Sequence, residues 1–434
     1  MNSIFLYFKQ AWNLMRQNRF YSTIYIVGTG LAITLVMIIA IVYHIKTADI
    51  APEVHRSTML VNERASAKKK EGGRHNWSLS YKTLKECYYN LKTPKLVTAM
   101  NDPEFLKYQI GDLYFSLPGS PDKYTGYMGC TDANFWHVFH FTFINGKPFN
   151  QAEFESGFRK AIICESLAKK IFGEIEINGK SMLINDVEYV VGGVVKDVSP
   201  TMTMSFANLW VPFTTVPILL ENGDSEGIVG SFSAYILAHK TTDFDNIRAE
   251  IEEKRKQYNS TLINAEFVLD EGVPYTYKES VIGKTDFRKS VNEIIRQYLL
   301  IALVFLLVPA INLSGLTSSR MQDRISEIGI RKAFGARWTS LINQVLTENL
   351  LLTLLGGLLG LIISYIIVLL LGKNLLIGRY RMVDTDMNLS SEMFINLNVF
   401  FYAFSICVLL NLISSLIPVW NISRKKIVEA ISDK

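Results

Sequence analysis

Long uncharged runs dominate the pattern of hydrophobic and polar positions along this chain. Four segments contain no Asp, Glu, Lys or Arg, and polar, charged stretches separate them. Each segment is longer than the roughly 20 apolar residues that a helix needs to cross about 30 Å of hydrocarbon. We therefore predict four transmembrane helices, at residues 21–45, within 285–319, at 349–372 and at 396–420.

Basic residues are distributed unevenly among the segments that flank these helices. Three basic clusters stand out: Lys9, Arg16 and Arg19 before the first helix; Arg320, Arg324, Arg331, Lys332 and Arg337 between the second and third; and Arg424, Lys425 and Lys426 in the tail, residues 421–434. The positive-inside rule places such clusters, and thus both termini, in the cytoplasm. The loop 373–395 carries acids as well as bases, so we place it outside together with the large segment 46–284.

The outer segment mixes short strand patterns with helical ones. Residues 160–173 predict a short apolar strand followed by a helix that ends at Gly173. Residues 181–198 are rich in β-branched side chains and predict a strand, a turn and a second strand. Further strands are predicted in "NLWVPF" and "SFSAYILAHK", and a charged helix in "FDNIRAEIEEKRKQYNS". These signals predict an α+β domain.

Three cysteines lie in the outer segment, at Cys87, Cys130 and Cys164, and a fourth, Cys407, lies in the last apolar run. An odd number of outer cysteines without close spacing does not indicate a disulfide framework. One disulfide between two of them remains possible from the sequence alone.

The first twenty residues have an amphipathic pattern. Apolar residues recur at helical spacing on one face: Ile4, Phe5, Phe8, Ala11, Trp12 and Met15. This pattern favours a helix that lies in the cytoplasmic interface of the membrane, in contact with lipid. The alternative is a helix that packs against other protein.

The approach to the second predicted helix also has a continuous helical pattern. Phe287, Val291, Ile294 and Tyr298 share one face. We therefore predict that residues 285–319 form a stalk continuous with the second transmembrane helix. The alternative is a break near Gln297.

Small residues line one face of the third predicted helix, at Gly356, Gly360 and Ser364. Lipid provides no hydrophobic force to pair helices, so close backbone approach at small residues is a common basis for packing. The sequence predicts a helix-packing face here. It leaves open whether the partner is another helix of this chain or a second copy.

Candidate catalytic and cofactor motifs are weak. "GEIEINGKS" has five residues between its glycines, whereas a phosphate-binding P-loop needs four. Lys180 is also expected to lead into a strand, so Gly179 is interpreted as a turn residue. His137 and His140 lie in an aromatic run and are interpreted as packed or surface side chains. We predict no enzyme activity, no metal site and no bound cofactor.

Charge excludes two further classes of function. The net charge of +5 is explained by basic residues beside the membrane and does not indicate nucleic-acid binding. The predicted transmembrane helices lack acidic and basic residues at their centres. An ion-translocating relay usually needs such groups, so a secondary transporter or proton pump is disfavoured.

A polar segment, residues 320–348, connects the second and third helices on the cytoplasmic side. It begins as a charged helical pattern that contains "EIGIRKAFGA", is interrupted at Gly335, and continues as an amphipathic stripe from Trp338 into the third helix. Its charges either anchor the chain at the anionic inner leaflet or form a docking surface for a soluble partner. The residues alone leave both alternatives open.

The stretch "RISEIGIRKAFGARWTSLINQVLTENLLLTLLGGLLG" closely resembles the hallmark of FtsX/MacB-type ABC permeases. In that family the corresponding stretch forms the coupling helix region that contacts the ATPase. Phe334 replaces the commoner Leu, and Glu348 matches the family's acid at the mouth of the third helix. The positions that match the hallmark are Glu327, Gly329, Arg331, Lys332, Ala333, Gly335 and Ala336.

The resemblance extends over nearly the whole chain and implies its architecture. "FWHVFHFTFINGKPF" and "GKSMLINDVEYVVGGVVKD" are similar to the MacB-type periplasmic core domain, and "PVWNISRKKIVEAI" is similar to the family's tail. The implied fold is an α-helical membrane protein with four transmembrane helices. A large α+β periplasmic domain, residues 46–284, is inserted between the first and second.

The resemblance also implies partners and a mechanism. Members pair as two permease copies, or as a permease and a paralogue, with cytoplasmic ABC ATPase subunits in the inner membrane. ATP acts through the partner, because no Walker motif is visible here, and a separate ATPase polypeptide is expected. ATP-driven motion would reach the periplasmic domain by mechanotransmission, for export or efflux with a possible periplasmic adaptor and outer-membrane duct. The alternative is an FtsX-like regulator of a cell-envelope enzyme or ligand response.

Overall fold

A computed structural model describes residues 15–221, 225–283, 292–301 and 338–376, together with single positions within 9–13, 303–319 and 401–416. Residues 320–337 of the predicted coupling region 320–348, called here the coupling segment, lie outside the described residues. So do the start of the stalk, residues 377–395 of the predicted loop 373–395, and the tail. So does most of the amphipathic amino-terminal stretch.

The chain divides into two compact units, which are treated separately below. The membrane unit consists of Met1–Ile45, Asn292–Gly378 and Ser391–Lys434. The core unit consists of Lys46–Val291 and Arg379–Ser390.

The described part of the core unit contains sixteen strands, most of them short. They are β1 (Met59–Asn62), β2 (Ala65–Lys69), β3 (Arg74–Leu79), β4 (Leu96–Asn101), β5 (Tyr114–Ser116), β6 (Tyr124–Thr125), β7 (Met128–Thr131), β8 (Phe143–Gly146), β9 (Lys160–Cys164), β10 (Ser181–Ile184), β11 (Val187–Val195), β12 (Leu209–Pro212), β13 (Val229–Gly230), β14 (Phe232–Leu237), β15 (Ala265–Val268) and β16 (Tyr275–Thr276).

Helices connect these strands, and two longer helices belong mainly to the membrane unit. The helices are α1 (Arg19–Thr47), α2 (Tyr81–Cys87), α3 (Pro103–Ile110), α4 (Phe135–Val138), α5 (Gln151–Glu155), α6 (Glu165–Phe172), α7 (Phe244–Ser260), α8 (Tyr277–Gly283) and α9 (Trp338–Leu376). Short 3-10 turns occupy Arg56–Thr58, Phe213–Thr215, Pro217–Leu219 and Thr241–Asp243. Residues 292–301 are also helical.

One strand network joins all the described strands of the core unit. Its main path runs β15-β2-β3-β14-β4-β7-β12-β9-β11-β10-β5-β6, and β1, β8, β13 and β16 pair beside that path. The pairs β7–β12 and β9–β11 are parallel, and the other described pairs are antiparallel. Strand β1 lies between β14 and β16, so the first described strand of the unit is hydrogen-bonded to the last described one. The core unit is α+β, as the sequence predicts.

The predicted strand–helix unit at residues 160–173 is confirmed. Strand β9 is buried at every position and is followed directly by α6. Leu167, Ala168 and Ile171 share the buried face of α6. Gly173 ends the helix with a positive φ of 75°, a conformation that glycine adopts without steric cost.

The predicted strand–turn–strand in residues 181–198 is also confirmed. Strands β10 and β11 pair antiparallel from Ser181–Val190 to Ile184–Val187. Asn185 and Asp186 form the two-residue connection, with φ values of 45° and 63°. Asn and Asp tolerate positive φ better than most residues, which suits a two-residue hairpin turn. Strands β12 and β14 and helix α7 likewise occupy the predicted segments.

Aromatic side chains fill the centre of the core unit. Trp136 on α4 packs edge-on against Phe149 and Trp210, with ring centroids 5.6 and 6.1 Å apart. Phe141 contacts both tryptophans, at 5.1 and 5.0 Å. Large rings in offset and edge-to-face contact bury much apolar surface per residue. The aromatic run around His137 is therefore mainly core, while His137 and His140 themselves are exposed.

The three described cysteines are free and buried. Burial raises the pKa of Cys87 to about 12 and that of Cys164 to about 11, and it raises the pKa of Cys130 further. Thiols with raised pKa values are poor nucleophiles because the thiolate is the reactive form. These side chains act as small apolar core residues.

A buried carboxylate connects strands β4 and β7 with helix α4. Asp132, immediately after β7, is 4% exposed. It accepts hydrogen bonds from Thr98 Oγ1 at 2.5 Å and Tyr89 Oη at 2.6 Å. The backbone amides of Ala99 and Phe135 also donate to it, each at 3.0 Å. Burial raises the pKa of Asp132 to about 6, although the four donors oppose that rise.

The pH dependence of Asp132 gives a testable prediction. Its folded-state pKa is above the ordinary value of 3.8, so its contribution to stability is complete below pH about 4 and is lost as pH rises through about 6. A shift of this size corresponds to roughly 3 kcal/mol. We expect the stability difference between wild type and Asp132→Asn to shrink by about that amount between pH 4 and 7, because Asn does not titrate. Thermal unfolding of the full chain, followed by tryptophan fluorescence, measures this difference. A pH-independent difference would contradict it.

Candidate functional site

Two helices of the membrane unit are long and apolar enough to cross a bilayer among the residues that the structure describes. They are α1, over Arg19–Thr47, and the Leu346–Leu371 part of α9. These correspond to the first and third predicted transmembrane helices. The second and fourth lie largely outside the described residues, so the prediction of four remains a prediction.

Helix α9 is continuous over 39 residues, from Trp338 to Leu376. The amphipathic stripe that the sequence predicts before the third transmembrane helix is therefore the first part of the same helix. Its start at Trp338 lies two positions after Ala336, the last residue of the predicted coupling hallmark. All seven hallmark residues lie outside the described part of the chain.

Helices α1 and α9 pack parallel to one another. Tyr25 of α1 clusters with Leu352 of α9. Further along, Gly30 lies beside Gly356, and Thr34 hydrogen-bonds to Gly360. The residue numbers of the contacting positions thus increase together along both helices, which means that they run in the same direction. Parallel packing means that the amino-terminal ends of α1 and α9 lie at the same end of the pair.

The predicted small-residue face of α9 contacts α1 of the same chain. A Cβ atom added at Gly360 would lie 2.6 Å from the carbonyl oxygen of Gly30, and one added at Gly356 would lie 2.9 Å from Cβ of Thr29. Real Cβ atoms essentially never approach so closely. Ser364 is fully buried, and its hydroxyl donates to the carbonyl of Leu361 at 2.7 Å. The intrachain contact accounts for the glycines at both positions.

A hydroxyl hydrogen bond connects the two helices at this contact. Thr34 Oγ1 lies 2.8 Å from the carbonyl oxygen of Gly30 in its own helix and 3.2 Å from that of Gly360 in α9. Because Gly30 and Gly360 lack a Cβ, the two backbones are close enough for the threonine to reach the Gly360 carbonyl as well. Hydrogen bonds of this kind contribute to helix association in apolar surroundings.

Buried polar residues lie nearer the amino-terminal ends of the pair. Glu348, Asn349 and Thr353 on α9 are 4%, 2% and 1% exposed, and Ser22 and Thr29 on α1 are 3% and 2% exposed. Ionisable side chains within the membrane are rare and costly, and they almost always face other protein. Glu348, immediately before the third predicted transmembrane helix, is thus part of a buried polar layer.

Other faces of α9 have different surroundings. A Cβ added at Gly357 would overlap the ring of Phe404, which lies in the fourth predicted transmembrane segment. Leu358, Ile362 and Leu369 are 58%, 50% and 63% exposed. An exposed apolar helix face beside a buried small-residue face is typical of a helix that contacts lipid on its outer side.

Sequence reasoning identified the small residues of α9 but missed their partners on α1. Gly30 and Thr34 were treated only as part of an apolar run. Their signal is visible in retrospect, because Thr29 and Thr34 interrupt that run on the side that α9 covers.

The residues considered as a phosphate-binding loop or as metal ligands occupy turn and packing positions. Gly179 has φ of 84°, as expected of a turn glycine, and Lys180 pairs with Glu174 just before β10. His140 packs edge-on against His55, with ring centroids 4.9 Å apart. Within the described ranges, no group of three or more His, Cys, Asp or Glu side chains is arranged to hold a metal ion.

Comparison with known proteins defines the class of the molecule. Residues 22–254 match the model of the MacB-like periplasmic core domain, and residues 299–427 match that of the FtsX-like permease C-terminal domain. Together they describe a membrane permease component with a periplasmic core domain. The chain belongs to the MacB/FtsX-type ABC transporter permeases.

Individual relatives are distant. The chain is 26% identical over 246 residues to the pyoverdine export ATP-binding/permease protein PvdT of Pseudomonas savastanoi pv. phaseolicola, covering 56% of this chain and 35% of that protein. It is 28% identical over 227 residues to the ABC transporter permease YknZ of Bacillus subtilis, covering 51% of this chain and 52% of YknZ. The chain thus spans about a third to a half of these relatives. The periplasmic region of MacB from Actinobacillus actinomycetemcomitans is 15% identical, with a TM-score of 0.33 over 48% of this chain and 89% of that one.

The helix contact predicts different effects for two glycine-to-alanine changes. Gly360→Ala forces the α1 and α9 backbones apart, and such overpacking typically costs about 1–3 kcal/mol. Gly28→Ala is the matched control, because a Cβ there meets nothing within 4 Å and alanine favours the helix. We expect a lower melting temperature in detergent for Gly360→Ala and an unchanged or slightly higher one for Gly28→Ala. Equal melting temperatures would contradict the packing argument.

Proposed function

We propose that this chain is the permease subunit of an ABC complex in the inner membrane of a double-membraned bacterium. ATP hydrolysis by a cytoplasmic ATPase subunit drives a conformational change that reaches the periplasmic core unit by mechanotransmission. The observation that carries this proposal is the parallel packing of α1 and α9, seen in the Tyr25–Leu352 and Thr34–Gly360 contacts.

Parallel packing supports the cytoplasmic position of the coupling segment. If both helices cross the membrane, the chain before α1 and the chain before α9 lie on the same side of it. Both carry basic clusters, residues 9–19 and 320–337, which the positive-inside rule assigns to the cytoplasm. A cytoplasmic segment 320–337 is accessible to an ATPase, and the core unit, which follows α1, is then periplasmic.

The continuity of α9 supports mechanical coupling. A displacement at residues 320–337 reaches Trp338 within a few residues and then acts on one uninterrupted helix through to Leu376. The glycine contacts with α1 resist sliding, since packed interfaces have discrete arrangements rather than continuous ones. A push on the coupling segment would thus move α9 and α1 together.

Charge in the coupling segment suits a reversible protein contact. Arg331 and Lys332 can pair with acids on an ATPase, and Gly335 allows the chain to turn towards α9. The surrounding apolar residues, Ile328 and Ile330, provide contact area. Interfaces of this kind combine a small apolar centre with charged groups that set orientation.

The direction of transport and the partner subunits are proposed by analogy with relatives. PvdT is named as a pyoverdine export ATP-binding/permease protein, which supports export and an ATP-hydrolysing partner for this chain. We propose that two permease copies, or this chain and a paralogue, assemble with two ATPase subunits. A periplasmic adaptor and an outer-membrane duct would complete an efflux path.

Substitution in the coupling segment tests the proposal. Glu327→Ala combined with Arg331→Ala removes one acid and one base from the predicted ATPase contact. We expect a marked loss of the permease-dependent stimulation of ATP hydrolysis by the ATPase that copurifies from membranes. The amount of inserted permease should be unchanged, because neither residue lies in a predicted transmembrane helix.

A matched control has the same charge change on the other side of the membrane. Asp384→Ala with Arg381→Ala lies in the predicted periplasmic loop 373–395 and should leave stimulation at the wild-type level. Normal stimulation in the Glu327/Arg331 double variant, or an equal loss in both double variants, would overturn the coupling assignment. Copurification of an envelope hydrolase in place of an ATPase would indicate the regulatory alternative.

A further inference from the structure

A buried ion pair lies at the start of the core unit. Glu53 and Arg56 are each 1% exposed. Arg56 Nε lies 2.8 Å from Glu53 Oε2, and Nη2 lies 2.7 Å from the same oxygen. Both residues belong to the segment 48–58, called here the leading segment, which follows α1 in the chain.

The remaining polar atoms of the pair bind neighbouring parts of the core unit. Glu53 Oε1 accepts from the amides of Met204 and Ser205 at 3.0 and 3.1 Å, and from the Ser205 hydroxyl at 2.9 Å. Arg56 donates to the carbonyl of Ala48 at 2.8 Å and to the sulfur of Met202 at 2.7 Å. The leading segment is thus fixed to residues 202–205 through satisfied hydrogen bonds.

The same pair holds the other end of the core unit. Tyr277, the first residue of α8, donates its hydroxyl to Glu53 Oε2 at 3.1 Å. The guanidinium carbon of Arg56 lies 4.8 Å from the centre of the Tyr277 ring. Residues 275–283, called here the trailing segment, precede the chain that returns to the membrane unit. Strand β1, which follows the leading segment, pairs directly with β16, the first two residues of the trailing segment.

Stability alone is a weak explanation for this arrangement. A buried ion pair often contributes no more than well-packed apolar residues of similar volume, because removing both charges from water is costly. Directional hydrogen bonds, however, permit only one relative position of the groups that they join. In this cluster they join the leading and trailing segments, which are more than two hundred positions apart in sequence.

We propose that Glu53, Arg56 and Tyr277 form a rigid joint that makes the leading and trailing segments move as one body. The inference rests on the proposed function, in which motion must enter the core unit through these segments. With the joint intact, a displacement that arrives along either segment moves the whole unit. Without it, only the β1–β16 pairing joins the two segments, and the displacement is absorbed as a shift of residues 277–283 against the leading segment. Tyr277 is the positioning residue in this scheme, because its hydroxyl connects the trailing segment to the Glu53–Arg56 pair.

Two tyrosine-to-phenylalanine variants of the full chain test the joint. Tyr277→Phe keeps the ring beside Arg56 and removes only the hydrogen bond to Glu53. A hydrogen bond to a carboxylate typically changes an equilibrium by about tenfold or more. Tyr275→Phe is the matched control, because its hydroxyl donates to the backbone carbonyl of Glu271, at 3.3 Å, and takes no part in the joint. Both variants should fold, since neither leaves a buried charge without its partner.

The first readout is the distance between the two segments. Spin labels on cysteines at Ser57 and Lys278, both exposed in the structure, report that distance by pulsed electron paramagnetic resonance without any ATPase. Wild type and Tyr275→Phe should give one narrow distribution. Tyr277→Phe should add a second, longer population.

The second readout is the stimulation of the copurified ATPase. We expect Tyr277→Phe to lose most of the stimulation and Tyr275→Phe to retain it, at similar melting temperatures. If Tyr277→Phe matches Tyr275→Phe in either readout, the joint does not have the proposed role. If wild type itself stimulates no ATPase, the proposed function fails. The spin-label distances would then still show whether the Tyr277 hydrogen bond links the leading and trailing segments.

Discussion

Close approach of two backbones is the constraint on which the membrane unit depends. Lipid chains are as apolar as the side chains that they contact, so α1 and α9 gain little from burying apolar surface against each other. Their association depends instead on close packing at Gly356 and Gly360 and on the Thr34 hydroxyl that bonds to both helices. This contact fixes the direction of α9 relative to α1. The direction in turn supports a cytoplasmic position for the coupling segment.

Local patterns in the sequence predicted local structure well. The β9–α6 unit, the β10–β11 hairpin and helix α7 occupy the predicted residues, because each depends on neighbours within one or two turns or strands. The order of strands was not predictable in this way. Pairings such as Met59 with Leu237 join residues far apart in the chain, and no local period encodes them.

The candidate sites likewise divide into local features, which the sequence predicted, and long-range contacts, which it did not. The small residues of α9 were visible as a packing face, but the partner could have been a second copy, since a glycine face does not specify what covers it. Glu53 and Arg56 were not singled out, because charged residues beside a membrane usually lie at the surface. Only the three-dimensional structure brings residues 202–205 and Tyr277 to them. Long-range contacts of this kind connect the leading and trailing segments of the core unit.

Membrane sidedness tests the central claim most directly, because every step of the proposed coupling requires the amino terminus and the segment 320–337 to share the cytoplasmic side. Single cysteines at Ser3, Ser326 and Ser57, in a chain without its native cysteines, can be labelled with a membrane-impermeant maleimide in intact cells. The account predicts that Ser57→Cys is labelled in intact cells and that Ser3→Cys and Ser326→Cys are labelled only after permeabilisation. Labelling of Ser326→Cys in intact cells, with Ser3→Cys protected, would contradict it.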